Sequence, residues 1–273
     1  MYPVDGSVFH GFCSEISFEF DLDEGRSLLF RYARDRREMV DKTAQRVQKM
    51  FSGVARHYDR LNHLLSLNTD RYWRWKTVRQ VPPRHGPVLD VCAGTGDLAL
   101  GYFRYTEGTL DIYAADFCHE MLEIGKEKSG KAGALQCMRF IEADAERLPF
   151  PDNTFELVSV AFGLRNIADT ERGLREMTRV CQSGGMIAVL EFSMPRFPLL
   201  KKMYAFYFQR VLPYIGQKLS RSSQEAYHYL PESVLEFPEG EQLAQLMRHC
   251  DLVDVHWNRM TAGVVTLYSA TKP

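Results

Sequence analysis

The chain has 273 residues, with 34 Lys+Arg against 35 Asp+Glu and a formal net charge of −1. That balance excludes a nucleic-acid binder held by bulk positive charge and an acidic solvating protein. Hydrophobic residues at 45% and charged ones at 25% exclude a mostly disordered chain, leaving one α/β domain with an extension, or two small domains. No run approaches the roughly 18 apolar residues of a spanning helix. The N-terminus lacks a basic-then-apolar signal layout. Six cysteines (13, 92, 118, 137, 181, 250) form no C-x-x-C pair and have no histidine at zinc-ligand spacing. They predict reduced thiols in a cytoplasmic protein, with no metal site.

In chain order, residues 1–25 carry six acids and no Lys or Arg, and residues 26–49 carry eight bases and three acids. The first 41 residues therefore read as an acidic then basic extension, partly disordered, with Met39 as an alternative start. Residues from about Leu28 to His57 have helical periodicity, through Val40, Ala44, Val47, Met50, Phe51 and Val54 to Tyr58. Strand and helix signals then alternate. Strands are predicted at Val88–Cys92, Leu110–Ala115, Phe140–Glu142, Phe155–Ala161 and Met186–Phe192. Helices are predicted after Asp97, over His119–Lys128 and over Thr170–Cys181. This alternation predicts a doubly wound, mostly parallel sheet with helices on both faces and a ligand at the carboxyl strand ends. Residues 194–238, with five prolines and an aromatic-basic stretch, read as a lid insertion. A helix over about Gly240–Cys250 and strands at Leu252–Trp257 and Val264–Ala270 complete the pattern.

Asp90-Val91-Cys92-Ala93-Gly94-Thr95-Gly96-Asp97 joins the first strand to a helix, where glycines admit a close ligand and the helix N-terminus offers free N–H donors. Gly94-x-Gly96-x-x-Ala99 also fits a relaxed dinucleotide fingerprint. Asp116 ends the second strand, 20 residues after Gly96, where a carboxylate can accept both ribose hydroxyls. Asp144 ends the third and can accept the amino hydrogens of adenine. An NAD-dependent oxidoreductase would use Gly94, Gly96 and Asp116, but leaves the Phe162–Asn166 run unexplained.

Asp90 to Asp97 (DVCAGTGD), Glu146 to Phe155 (ERLPFPDNTF), Phe162 to Asn166 (FGLRN) and Glu191-Phe192-Ser193 together resemble the menaquinone/ubiquinone C-methyltransferase family. Upstream, Met50-Phe51, Tyr58-Asp59, Asn62, Leu64-Leu65-Ser66 and Trp73-Arg74 are similar to its N-terminal motif. Downstream, Tyr229 to Ser233 and Phe237-Pro238 match as well. The resemblance covers about residues 42–273 and implies one class I methyltransferase domain: a Rossmann-like seven-stranded sheet with N-terminal helices, binding S-adenosylmethionine.

By that resemblance, Thr95 with Gly94 and Gly96, Asp116, Asp144 with Ala145, and the backbone at Ala161 hold the cofactor. The family often has Ser at the Ala161 position and Gly at the Asn68 position. Asn tolerates left-handed backbone, so the Asn68 turn should survive. The implied reaction is methyl transfer to a ring carbon of a reduced polyprenyl quinol, most simply demethylmenaquinol, with a methoxy-benzoquinol as the alternative. Arg165 and Asn166 are the candidates for stabilising a developing quinol anion, and Tyr58 for closing over the substrate. His57 and His119 receive no role. No metal is needed, because the sulfonium is already activated. Leu200, Met203, Tyr204, Tyr207, Phe208 and Val211 fall broadly on one helix side, which suits contact of about Leu199–Arg221 with the cytoplasmic face of a membrane. A homo-oligomer is compatible with the sequence.

Overall fold

The computed structural model describes residues 44–206, 229 and 231–273. The 1–41 extension and residues 207–228 of the insertion, with Tyr207, Phe208 and Val211, lie outside the described residues.

Helices α1 (Ala44–Leu65) and α2 (Thr69–Gln80) come first, joined by a turn in which Leu67 and Asn68 both have left-handed backbone, at φ 51° and 61°. The Asn68 turn is thus retained. Next alternate β1 (Val88–Val91), α3 (Asp97–Tyr105), β2 (Ile112–Asp116), α4 (His119–Lys131), β3 (Met138–Glu142), β4 (Phe155–Ala161), α5 (Thr170–Val180) and β5 (Cys181–Phe192). Helices α6 (Pro198–Phe206) and α7 (Glu241–His249) precede the closing strands β6 (Val253–Met260) and β7 (Val265–Thr271).

The seven strands lie in the order β3-β2-β1-β4-β5-β7-β6. All pairs among β1 to β5 are parallel, and β7 runs antiparallel to both β5 and β6. From β1 the chain winds outward to β3, then restarts on the other side with β4. The gap between β1 and β4 is therefore the topological switch point, where a doubly wound sheet leaves a crevice. Strands β1 and β4 are buried on both faces, in keeping with their mostly apolar residues. Leu89, Val91, Val158 and Val160 pack with Leu174, Met177, Leu243 and Met247 on one side of the sheet. On the other, Val88, Ile112 and Leu157 pack with Trp73, Val78, Leu98 and Leu100.

Two strands differ most from their predicted extents. Strand β5 begins at Cys181 rather than Met186, because Cys181 pairs with Phe155 before a register shift. The intervening Gln182-Ser183-Gly184-Gly185 has no apolar period to reveal it. Strand β6 continues past Trp257 to Met260, since Asn258 and Arg259 pair with Leu267 and Thr266 on β7. Their polarity suits an edge strand, so only the pairing identifies them.

Candidate active site

A cleft opens where β1, β2, β3 and β4 end. Gly94 and Cys92 line it from β1, Asp116 and Phe117 from β2, Asp144 and Ala145 from β3, and Ala161, Phe162 and Asn166 from β4. Helix α1 contributes Phe51 and Tyr58, and α4 contributes Met121. Of the ten site residues predicted from sequence, seven therefore line one cleft. Thr95, Gly96 and Arg165 do not; each stands behind it.

Gly94 is at φ +55°, and a Cβ there would meet nothing nearer than the Tyr58 ring at 4.0 Å. Backbone conformation, not crowding, calls for glycine here. The Gly94 N–H donates to Asp116 Oδ2 and the Cys118 N–H to Asp116 Oδ1, both at 2.8 Å. Those bonds hold the carboxylate in place while leaving acceptor capacity for a diol. Burial raises the Asp116 pKa to about 6, against the pull of these N–H donors.

Behind the loop, Thr95 Oγ1 donates to Asp59 Oδ1 at 2.6 Å, and Lys128 Nζ donates to Asp59 Oδ2 at 2.7 Å and to Thr95 Oγ1 at 3.0 Å. Lys128 also bonds Asp97, the first residue of α3. Helices α1, α3 and α4 are thereby tied to the glycine loop. Burial pushes the Asp97 pKa up, but Arg74 and Lys128 outweigh it and hold the carboxyl below its usual range. Asp70 accepts from Arg74 Nη1 at 2.6 Å and from Ser66 Oγ at 2.6 Å, and lies 2.8 Å from His63 Nδ1. His63, Asp70 and Asp97 have metal-ligand spacing, yet Arg74 already supplies the positive charge among them. Thr95 and Gly96 thus serve the loop's shape: Gly96, at φ +76°, turns the chain into α3 with the Phe140 ring 3.3 Å from a would-be Cβ.

At the end of β4, Phe162 has a left-handed backbone, φ 60°, which costs a bulky residue on the order of 1–2 kcal/mol. Several contacts hold it there. Its N–H donates to Leu190 O at 2.8 Å, and its ring packs 4.6 Å from Phe192 and 6.0 Å from Trp73. Its carbonyl accepts from Arg165 Nη1 and from Asn166 Nδ2. Arg165 Nη1 also donates to Glu191 Oε2 at 3.0 Å, in a pair that is almost fully buried. Gly163 follows in the tightest place of all, since a Cβ would sit 2.3 Å from Cys92 Cβ. Asn166 Oδ1 is buried without a partner. Tyr58 is a protonated donor at neutral pH: burial raises its pKa, outweighing the hydrogen bond with Asn62 and the charges of Arg74 and Arg165.

Several groups escaped the sequence reading. Asp59, Arg74 and Glu191 stand inside motifs that carried the resemblance, so their signal was present but their partners were not. Lys128 had no signal, because a lysine late in a surface-like helix is the commonest of residues.

A glycine loop after β1, a ribose-ready acid after β2, an acid after β3 and a reversed seventh strand together define a class I, S-adenosylmethionine-dependent methyltransferase. Comparison narrows this further. The model of the ubiE/COQ5 methyltransferase family matches residues 39–272, and the chain belongs to that family. It is 43% identical over 254 residues (93% of this chain, 95% of the relative) to the ubiquinone/menaquinone biosynthesis C-methyltransferase UbiE of Geobacter sulfurreducens. It is 37% identical to the demethylmenaquinone methyltransferase of Staphylococcus aureus, over 86% of this chain and 97% of the relative. The Geobacter match leaves too few residues outside it to spare the whole extension, so part of the first 41 residues has a counterpart there. Among solved structures, an S-adenosylmethionine-dependent methyltransferase of Thermotoga maritima shares the fold at TM-score 0.60 and 18% identity, over 82% of this chain and 99% of that one. None of these relatives has an oxidoreductase name, and the dinucleotide reading has no support.

Proposed function

We propose that the chain methylates a ring carbon of a polyprenyl quinol, with demethylmenaquinol as substrate. The observation that carries this reading is the lining of the cleft beside the cofactor loop. There Tyr58 and Asn166, whose buried Oδ1 has no partner, stand among the apolar side chains Phe51, Phe162 and Ile167. An aromatic ring with a hydroxyl fits such a lining better than a charged substrate does. The relatives' names support the same reading, and the double name of the Geobacter protein supports a methoxy-benzoquinol as the second reading.

The residues also suit the cofactor. Asp116 would accept the ribose hydroxyls, Asp144 and the Ala145 backbone would meet adenine, and Phe117 and Met121 would flank it. Gly94 lets the backbone approach, with Thr95 and Gly96 holding the loop and Ala161 offering only its backbone. S-adenosylmethionine, when bound, supplies a methyl group already activated on sulfonium. The chain's part is to place the quinol and ease the loss of its proton, since a free phenol titrates near 10. Tyr58 donates to the quinol oxygen, Asn166 Oδ1 accepts from a second hydroxyl, and the buried Arg165 charge favours the anion from behind Phe162. Positioning the reactants contributes on the order of 7–11 kcal/mol of barrier reduction.

The quinol resides in a bilayer, and no described helix is long and apolar enough to cross one. Leu199, Met203 and Phe206 on α6 are exposed, which supports surface contact through about Leu199–Arg221. Transfer of label from methyl-labelled cofactor to each quinol tests the reading. Label in demethylmenaquinol is the expected result; label only in the benzoquinol selects the second reading, and label in neither overturns both.

A further inference from the structure

The outer face of α2 takes no part in the chemistry above. Tyr72, Trp75, Lys76 and Arg79 recur at three- and four-residue steps, so they run along one side of the helix. Tyr72 and Trp75 stack with ring centres 6.0 Å and planes 25° apart, yet remain 47% and 53% exposed. Lys76 Nζ lies 5.9 Å from the centre of the Tyr72 ring, and the Arg79 guanidinium lies 4.6 Å from that of Trp75. Just before the helix, Leu67 is 82% exposed and Leu64 is 60% exposed. Leu67 also holds a left-handed backbone, a conformation that a branched side chain seldom takes. A soluble turn would more readily use Asn or Gly there.

Charge on this face has one sign. Asp70 is the only acid of α2, and it is buried and bonded to Ser66, His63 and Arg74. What α2 shows outward is Arg71, Lys76 and Arg79. We infer that this ridge is a docking surface for an anionic lipid bilayer. Trp and Tyr favour the headgroup level, Lys and Arg meet anionic lipid, and an apolar apex such as Leu67 enters the acyl boundary. A nucleic acid is a poorer occupant, because the rings already engage each other and the two bases instead of offering free faces for stacking. The choice of a bilayer over a protein rests on the quinol reading, since that substrate lives in lipid.

Flotation of the full chain, without quinol or cofactor, tests the proposal. The vesicles are phosphatidylcholine alone or phosphatidylcholine with phosphatidylglycerol. Binding is expected only with phosphatidylglycerol, and should weaken as salt rises. Leu67→Asp/Trp75→Glu should weaken it at least about tenfold, with S-adenosylmethionine affinity unchanged as proof of an intact fold. A second measurement needs no destabilising change: brominated lipid should quench wild-type tryptophan fluorescence, and the quenching should largely vanish in Trp75→Phe. The proposal is overturned if the double variant floats like wild type, if Trp75 is not quenched in floated protein, or if the ridge proves to join two copies or bind single-stranded RNA without binding lipid. Methyl transfer to a short-chain, water-soluble quinol separates the two readings. If it occurs while flotation fails, only the docking surface falls; if flotation succeeds and it does not occur, the quinol reading falls.

Discussion

Asp116 combines a fixed geometry with a pKa placed where pH can act on it. In the folded chain its carboxyl keeps a proton to about pH 6, against an ordinary 3.8. The folded state then binds more protons than the unfolded one between those values, so this group's contribution to stability falls as pH rises through about 6. Cofactor binding has the opposite sign, because ribose hydroxyls need the carboxylate as acceptor. S-adenosylmethionine affinity should be flat above about pH 7 and fall by up to about tenfold per unit below about pH 6. Calorimetry across that range checks it, with Asp116→Asn expected to bind more weakly and without that dependence. Asp90, raised to about 7 by burial, titrates nearby but stands outside the cleft, and the Asp116→Asn variant retains it. Arg165 works in close company. Arg165→Ala should abolish turnover, spare cofactor affinity and lower stability by about 3–5 kcal/mol, because it strands Glu191 in the core. Denaturant unfolding measures that loss. Glu191→Gln is the more telling change: if Glu191 aims Arg165, kcat should fall on the order of 10²-fold with cofactor affinity intact. An unchanged kcat would leave the pair a purely structural one.

At the scale of elements, the glycine loop is held by side chains from three helices. Asp59, Thr95 and Lys128 share one set of hydrogen bonds, so their effects should not add. Asp59→Asn and Lys128→Met should each weaken S-adenosylmethionine binding by about tenfold, and the double variant by little more; binding isotherms of the three decide this. The junction of β4 with the following turn permits no such give. Gly163→Ala drives a methyl into Cys92 and should cost about 1–3 kcal/mol in urea unfolding. Elements were largely legible where a strong period or a glycine marked them: β1, β4 and α5 fall within a residue of expectation. Strand β5 was less legible because its opening residues are Gly and polar, and β6 because an edge strand tolerates charge.

Over the whole molecule, a ligand that binds only the folded state adds about 2.7 kcal/mol at one hundred times its Kd. For a chain of this size S-adenosylmethionine at that level should raise Tm by roughly 5–11 °C, while NADH should leave it unmoved. Thermal scans with each ligand test the class assignment in one experiment.

What the amino-acid sequence determined alone was the alternation of strands and helices, the loop at Gly94–Gly96 and the acids at 116 and 144. These are local facts: apolar period, backbone freedom and chain spacing express themselves within a few residues. What only the tertiary structure decided was partnership. Asp59 with Lys128, Arg165 with Glu191 and Arg74 with Asp97 join elements or turns that spacing cannot match, since a buried charge is satisfied by whatever the fold brings within reach. The same holds for the charge balance. Near zero in sum, it resolves on α2 into a single acid, Asp70, turned inward and bases left outside, a division that composition cannot contain.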